Sequence, residues 1–383
     1  MAFTPSSLRI GILGAGQLGK MLAQEASKLD IELHFLDKSK DYPAGKISRF
    51  FTEGDFKLYN DVLQFGKDLD VIGIEIEEVN IDALFELKNM GKTIIPDPEI
   101  LKLIQDKGLQ KVFYIKNGIP TAPFWIFDNL QSIHKALESN EISFPFVQKL
   151  RIGGYDGRGV TIVKTKDDLG KLLEGPSIVE KMADIHKELS VICISTSTTE
   201  RLAYEVVEME FNSDSNLVEY LLSPAQISLG TKEQAQQIAL EICKLLEIQG
   251  LLAVEMFLNK DGSIWVNEIA PRPHNSGHHT LDNGSCSQFA NQVRALAKLP
   301  AGQVESDKFA IMINLIGQEG YIGPVKYIGI EDCSKITGVN IHLYGKSETR
   351  PHRKMGHVCI TDLNLDKCKE KANFVRQTIL VIS

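Results

Sequence analysis

Two hydrophobic periods divide the chain. Between residue 8 and about residue 97, the apolar runs LRIGILG, IELHFLD, VIGIEIE and TIIP read as buried strands. Amphipathic stretches near 17–29 and 81–91 read as helices between them. Strand alternating with helix predicts a parallel α/β layer. A proline pair, PDPE, ends it, and one helical stretch from Glu99 to about Asn117 leads onward. From about 120 to 300 the runs PFWIF, FPFVQKL, VTIVKT, PSIVEKM, LSVICIST, RLAYEVVEMEF, LLAVEMFL and SIWVNEIA are joined by short turns. Helices near 130–139, 166–174, 231–247 and 286–298 interrupt them, which predicts an α+β region with antiparallel sheets. The remainder holds FAIMINLIG, ITGVNIHLYG and HVCITD plus one helix, too little for an independent enzyme domain.

Composition narrows the class. A chain of 383 residues, 43% apolar and 24% charged, has the profile of a globular protein with two or three cores. The formal net charge of -8 argues against a nucleic-acid partner, so basic residues that bind phosphate must be local clusters. Six scattered cysteines (Cys193, Cys243, Cys286, Cys333, Cys359, Cys368) lack metal or C-x-x-C spacing and read as reduced thiols of a cytoplasmic protein. MAFTPSSLRIGIL lacks the features of a secretory signal, and no apolar run approaches the ~20 residues of a membrane span.

Chemistry concentrates in five stretches. In LRIGILGAGQLGKMLAQ, Gly14, Gly16 and Gly19 follow a strand in G-x-G-x-x-G order, and Asp37 ends the next strand. Alone, this is a dinucleotide-binding fingerprint. In LLAVEMFLNKDGSIWVNEIAPR, Asp261-Gly262 between alternating runs predicts a two-residue type I′ hairpin, which sets Lys260 opposite Ser263 and Glu255 opposite Glu268. Facing carboxylates repel and need a proton or cation between them; an oxygen set of this kind suits Mg²⁺. QKLRIGGYDGRGVTIV places Gly153, Gly154, Gly157 and Gly159 between two strands as a mobile turn, with Lys149, Arg151 and Arg158 fit for phosphate. No helix or G-K-[ST] follows, so it is not a Walker loop. APRPHNSGHHT crowds Arg272, His274, Asn275, Ser276 and His278 into a segment expected to lack regular structure. RPHRKMGH holds the basic cluster Arg350, Arg353 and Lys354, which suits a phosphate monoester as well as a solvated surface.

Together these stretches resemble the ATP-grasp superfamily. Within it, GQLGKML, RIGGYDGRG, NEIAPRPHNSGHHT, MINLIG and RPHRKMGH recur in the order of the 5-(carboxyamino)imidazole ribonucleotide synthetases of purine biosynthesis, from residue 9 to about 362. The resemblance implies an ATP-grasp fold of both α/β and α+β character. It implies a Rossmann-like pre-ATP-grasp domain over 1–98 and an ATP-grasp domain over 99–300 with a lid subdomain about 120–183. A small β-rich C-terminal domain would fill 301–383.

The resemblance also answers the fingerprint: the glycine turn does not hold NAD. Instead Gly16, Gln17 and Leu18 would face the ribonucleotide, and Asp37 would merely end a strand. Lys107 and Lys149 would meet ATP phosphates or adenine. Gly154, Tyr155, Asp156, Gly157, Arg158, Gly159 and Val160 would close over the triphosphate. Glu180, Lys181, Met182 and Ala183 would form the adenine hinge, Glu188 would take the ribose, and Asn267 would stand beside the metal pair Glu255 and Glu268. Glu77, Arg272, His274, Asn275, Ser276, Arg350, Arg353 and Lys354 would line the ribonucleotide and bicarbonate site, with Arg272, His274 and Lys354 catalytic.

The implied reaction joins ATP, bicarbonate and 5-aminoimidazole ribonucleotide through carboxyphosphate, in a cytoplasmic homodimer that hands its product to a mutase. Departures are His352, where relatives carry Gly; Gly108, where they carry a helix former; and Ala270, in the Asn position of the wider E-x-N metal pattern. The usual His-containing stretch is altered in VEMEFNSDSNLVEY. Rival readings are a formate-dependent glycinamide ribonucleotide formyltransferase, which has a serine-rich phosphate loop, an NAD-dependent oxidoreductase, and a non-catalytic ATP-binding subunit.

Overall fold

The alternation of the first hundred residues builds a parallel sheet. In the computed structural model, which describes residues 4, 8–153, 159–196, 200–211 and 218–383, β1 (Ile10–Leu13), β2 (Leu33–Asp37), β3 (Phe50–Glu53), β4 (Val71–Ile74) and β5 (Thr93–Ile95) run in the order β3-β2-β1-β4-β5. β1 and β4 are buried at every residue. Helix α1 (Gln17–Ser27) shares one core with them, while α2 (Tyr59–Gly66) and α3 (Ile81–Asn89) share another. Covered faces explain continuous apolar runs rather than alternation. β3 escapes the hydrophobic pattern because FFTE is a half-exposed edge strand.

The helical stretch from Glu99 is two helices, not one. α4 (Pro98–Gln105) and α5 (Lys107–Lys116) break at Asp106, whose backbone is extended (φ -115°, ψ 107°). Its carboxylate caps α5 by accepting Gly108 N–H at 2.8 Å and Leu109 N–H at 3.3 Å.

β6 (Phe124–Phe127), β7 (Phe146–Leu150), β8 (Val160–Val163) and β9 (Ser177–Lys181) form an antiparallel sheet in the order β6-β9-β7-β8, backed by α6 (Leu130–Glu138). The large sheet follows. RLAYEVVEMEF supplies two strands rather than one, β11 (Arg201–Ala203) and β12 (Val207–Phe211), after β10 (Ile185–Ser195). β13 (Val218–Ser223), α7 (Leu229–Leu245), β14 (Gly250–Asn259), β15 (Ile264–Ala270) and α8 (Gln288–Leu296) complete this region.

The C-terminal part comprises β16 (Phe309–Ile316), β17 (Gly323–Pro324), β18 (Lys326–Ile328), α9 (Ile330–Ser334), β19 (Val339–Leu343), β20 (Glu348–Thr349), β21 (Lys354–Asp362), α10 (Leu365–Thr378) and β22 (Leu380–Ile382). The sheet order is β15-β14-β10-β12-β13-β16-β21-β19, with β11 on β10, so pairing of β13 with β16 carries it across residue 300.

α7 lays Ala235, Ala239, Ile242 and Cys243 against Leu252, Val254 and Met256, closing one face of the sheet. The opposite face is left for chemistry. There Ser190 pairs with Glu255, Glu188 with Phe257, and Glu255 with Glu268.

His352 has φ +62°, in the left-handed region where glycine is favoured, and its Nε2 lies 2.6 Å from Glu319 Oε1 in an exposed pair. Left-handed backbone costs a side-chain-bearing residue roughly 1–2 kcal/mol and an exposed ion pair returns little. His352→Gly should therefore raise stability by about 0.5–1 kcal/mol in urea denaturation. A loss of stability would show that the Glu319 contact outweighs the backbone term.

Candidate active site

The hairpin that sets the carboxylate pair differs from its expected form at two places. Asn259 N–H donates to Ser263 C=O at 2.8 Å, and Gly262, not Asp261, has positive φ (+85°). The loop therefore has three residues, ending in a left-handed glycine, instead of a two-residue type I′ turn. This shifts the pairing by one, so Met256 faces Val266. A β-bulge then restores the register, and Glu255 still faces Glu268. The extra residue is Asn267. A bulge turns neighbouring side chains toward the same side, and Asn267 Oδ1 accepts from Lys149 Nζ at 2.6 Å while Lys107 Nζ lies 3.2 Å from Glu268 Oε2. The oxygen donor missing at Ala270 is thus present three residues earlier.

Electrostatics differ sharply within the pair. Burial would raise Glu268, but Lys107 and Lys149 outweigh it and hold the carboxyl below its usual range. Glu255 is pushed up to about 8 by burial, then by Glu268 and Glu188. Glu188 itself is raised to about 7 by burial. Oxygen donors from Glu255, Glu268 and Asn267, with a carboxylate that resists ionisation beside its neighbour, fit a hard divalent cation such as Mg²⁺.

The sign for stability follows. The folded chain keeps a proton on Glu255 that an unfolded glutamate, at 4.5, has released. Without a cation, stability contributed by this group is lost as pH rises from about 4.5 to about 8. Glu255→Gln should therefore melt progressively higher than wild type across that window in chelator. A melting difference independent of pH would contradict the assignment.

Lys149 is buried on β7 with Nζ 2.7 Å from Glu180 Oε2. Burial lowers its ammonium pKa, yet Glu180, Glu268 and Glu255 overcome this and raise it. Glu180 is the penultimate residue of β9 with its side chain turned inward, where Lys111 Nζ lies 2.5 Å from Oε1. Burial would raise Glu180, but Lys149 and Lys111 hold it near 2. Lys111 was missed in the sequence, although Lys107 and Lys111 share a helix face at i, i+4. Lys181 closes β9, and Met182 and Ala183 follow as irregular backbone leading into β10. Gly159 leads into β8, which Val160 opens; residues 154–158, Gly154, Tyr155, Asp156, Gly157 and Arg158, lie outside the described residues.

On the other side of the pair, His274 Nε2 lies 3.3 Å from Glu255 Oε1. Its Nδ1 meets Ser276 Oγ at 2.8 Å, and Ser276 Oγ meets Ser190 Oγ at 2.8 Å. The segment expected to be irregular is a short 3-10 helix, Asn275–Leu281, capped by His274; Gln288 ties it down by accepting His274 N–H and donating to His274 C=O. Among the described residues Asn275 Nδ2 is buried without a hydrogen-bond partner. Arg272 Nε lies 2.7 Å from Glu77 Oε2, linking this segment to the first sheet.

The glycine fingerprint already holds a carboxyl group, which burial pushes up to about 7. Glu75, just beyond β4, accepts N–H groups of Gly16 and Gly19 at the N-terminus of α1. A Cβ on Gly14 would lie 2.6 Å from Glu75 Cγ, and one on Gly16 2.7 Å from Oε1. The chain's own carboxylate takes the place a dinucleotide pyrophosphate would need. Asp37 also does more than end a strand, since Oδ2 accepts Ala15 N–H at 2.8 Å and pins the turn. Gln17 and Leu18 open α1 and are half-buried.

The basic segment is less compact than its spacing implies. Arg350 is exposed and Arg353 donates to Glu348 C=O at 2.7 Å. Lys354 is half-buried and acts on buried His278, whose ring lies 4.7 Å from His357. Three lysines not singled out in the sequence join it: Lys346 Nζ donates to Lys354 C=O, Lys20 Nζ to Leu343 C=O and Lys46 Nζ to Gly345 C=O, at 2.7, 2.7 and 2.8 Å. Nearby His342, His357 and Cys359 cluster within 4.8 Å. The two imidazoles stack 12° from parallel, so their in-plane lone pairs do not converge on one ion.

Comparison with known proteins covers nearly the whole chain. A ribonucleotide synthetase preATP-grasp domain spans residues 8–105, an ATP-grasp domain 112–289, and a phosphoribosylaminoimidazole carboxylase C-terminal domain 310–371. The N5-carboxyaminoimidazole ribonucleotide synthase of Bacillus subtilis is 34% identical over 91% of this chain and 90% of its own. The crystal structure of the synthetase from Thermotoga maritima superposes with TM-score 0.89 at 38% identity, covering 98% and 99% of the two chains. That of the Aspergillus clavatus synthase with ADP and 5-aminoimidazole ribonucleotide gives 0.87 at 31%, covering 97% and 98%. The chain spans only 64% of the chloroplastic phosphoribosylaminoimidazole carboxylase of Vigna aconitifolia, to which it is 35% identical. Among the described residues no helix is long and apolar enough to cross a membrane. Matched to that group in sequence and in fold over nearly its whole length, the chain belongs to the N5-carboxyaminoimidazole ribonucleotide synthetases, ATP-grasp ligases of purine biosynthesis.

Proposed function

We propose that this chain carboxylates 5-aminoimidazole ribonucleotide with bicarbonate at the cost of ATP, and that the face around Glu255 and Glu268 is where it does so. The observation that carries the reading is the position of that pair. Lys107 and Lys149 stand on one side, and Arg272, His274 and the Asn275 amide, without a partner among the described residues, on the other. The lysines suit a polyphosphate; the second group suits a small anion and a ribonucleotide. Bound Mg²⁺, held by Glu255, Glu268 and Asn267, would supply charge neutralisation for the phosphates.

The reaction balances as two displacements. A bicarbonate oxygen attacks the γ-phosphorus, the bond to ADP breaks, and carboxyphosphate forms. Lys107 and Lys149, already fixed by Glu268, Asn267 and Glu180, stabilise charge on the transferring group without reorganising. The exocyclic amine then attacks the carboxyl carbon and phosphate leaves. Its proton passes to the released phosphate or to His274, whose ring is held from both nitrogens by Glu255 and Ser276. Arg272, oriented by Glu77, holds the bicarbonate or the carboxyphosphate. Lys354 and its neighbouring lysines suit the ribonucleotide phosphate, with Gly16, Gln17 and Leu18 on the facing domain. Lys181 to Ala183 suit adenine and Glu188 the ribose.

Three units, 1–98, 99–300 and 301–383, and a cytoplasmic homodimer that passes its product to a mutase complete the reading on family resemblance. Turnover of ¹⁸O-bicarbonate should place one labelled oxygen in each released phosphate. Unlabelled phosphate would mean that water, not bicarbonate, takes the phosphoryl group.

A further inference from the structure

Lys107 and Lys149 converge on the Glu268–Asn267 edge from different layers, one from the first turn of α5 and the other from β7. Their supports are joined at one place. Lys107 N–H donates to Arg151 C=O at 2.9 Å, just past the end of β7. The Arg151 guanidinium returns to Asp106 through two parallel bonds, Nε to Oδ1 at 2.9 Å and Nη2 to Oδ2 at 2.6 Å. Oδ1 also accepts Gly108 N–H at 2.8 Å. A closed ring of bonds thus clamps the helix start to the strand end. The planar fork of arginine gives this contact a fixed geometry that a lysine could not. Gly108 has a reason of its own. A Cβ there would lie 2.8 Å from Arg151 Nε and 3.0 Å from Asp106 Oδ1.

We propose that Asp106 and Arg151 are positioning residues which set the spacing of Lys107 and Lys149 for the ATP phosphates, and that residue 108 is glycine to admit their contact. The inference rests on the assignment of that edge to ATP. The pair acts through the lysines, so it should move ATP recognition and leave the ribonucleotide end alone.

The test is steady-state kinetics with ADP binding on the full chain. Arg151→Met and Asp106→Asn, the latter retaining an acceptor for the helix cap, should each raise KM for ATP about tenfold. KM for the ribonucleotide should stay within twofold. The double variant should be no worse than the worse single, because both remove one interaction. Gly108→Ala should shift KM for ATP in the same direction, because its Cβ displaces the Arg151 fork. Unchanged KM for ATP in all three variants, additive effects in the double, or equal shifts for both substrates would overturn the inference. So would variants that melt lower while Gly108→Ala keeps wild-type kinetics. Failure of wild type to bind ADP would instead remove the nucleotide reading beneath it.

Discussion

Glu268→Gln should lower ATP-dependent phosphate release about a thousandfold and leave the fold intact. The substitution keeps the shape and an acceptor for Lys107, 3.2 Å away, but removes the charge. In the native site Glu268 is ionised because Lys107 and Lys149 outweigh its burial. Glu255, raised to about 8, still carries its proton near neutral pH. The ionised member is therefore the stronger ligand for the proposed cation, and losing it leaves that cation without its anchor. A single-turnover phosphate assay read beside a thermal melt separates chemistry from stability. Undiminished turnover would take Glu268 out of the metal site.

The second large effect is on stability. Lys111 is 2% exposed, with Nζ 2.5 Å from Glu180 Oε1 and 2.5 Å from Thr121 Oγ1. Lys111→Met removes one of two cations around a carboxylate that is itself buried. Removing a partner from a buried ion pair costs about 3–5 kcal/mol, because the remaining charge stays desolvated. At roughly 2–4 °C per kcal/mol, the melting point should fall by about 10 °C. Activity should fall too, since Glu180 would draw Lys149 away from Asn267. Calorimetry at neutral pH reads the first effect and KM for ATP the second. A melting point within about 2 °C of wild type would mean that Lys149 alone neutralises Glu180.

Much of this was legible in the residues, and the reasons for the gaps are physical. The strand–helix alternation before residue 98 was readable because both faces of β1 and β4 are buried, which leaves apolar runs. The edge strand β3, half in water, left no such trace. Glu255 opposite Glu268 came out right from a turn type that is not there, because the three-residue loop and the bulge at Asn267 shift the register in opposite senses. Period-2 reasoning registers the sum of such shifts and not each one. The glycine fingerprint misleads because its meaning depends on Glu75, 56 residues beyond Gly19, which no local pattern connects to it. Lys111 and Lys346 were hidden for a similar reason: a lysine in a helix or after a strand reads as solvated until its burial or partners are known. Gly108 looked like a flaw in a helix. It is the space that Arg151 occupies.

The most direct test of the account is phosphate release from Mg·ATP with bicarbonate, measured with and without 5-aminoimidazole ribonucleotide. The account predicts release that requires the ribonucleotide and bicarbonate together, and none when glycinamide ribonucleotide and formate replace them. Release at the same rate without the ribonucleotide, or only with formate, would contradict it.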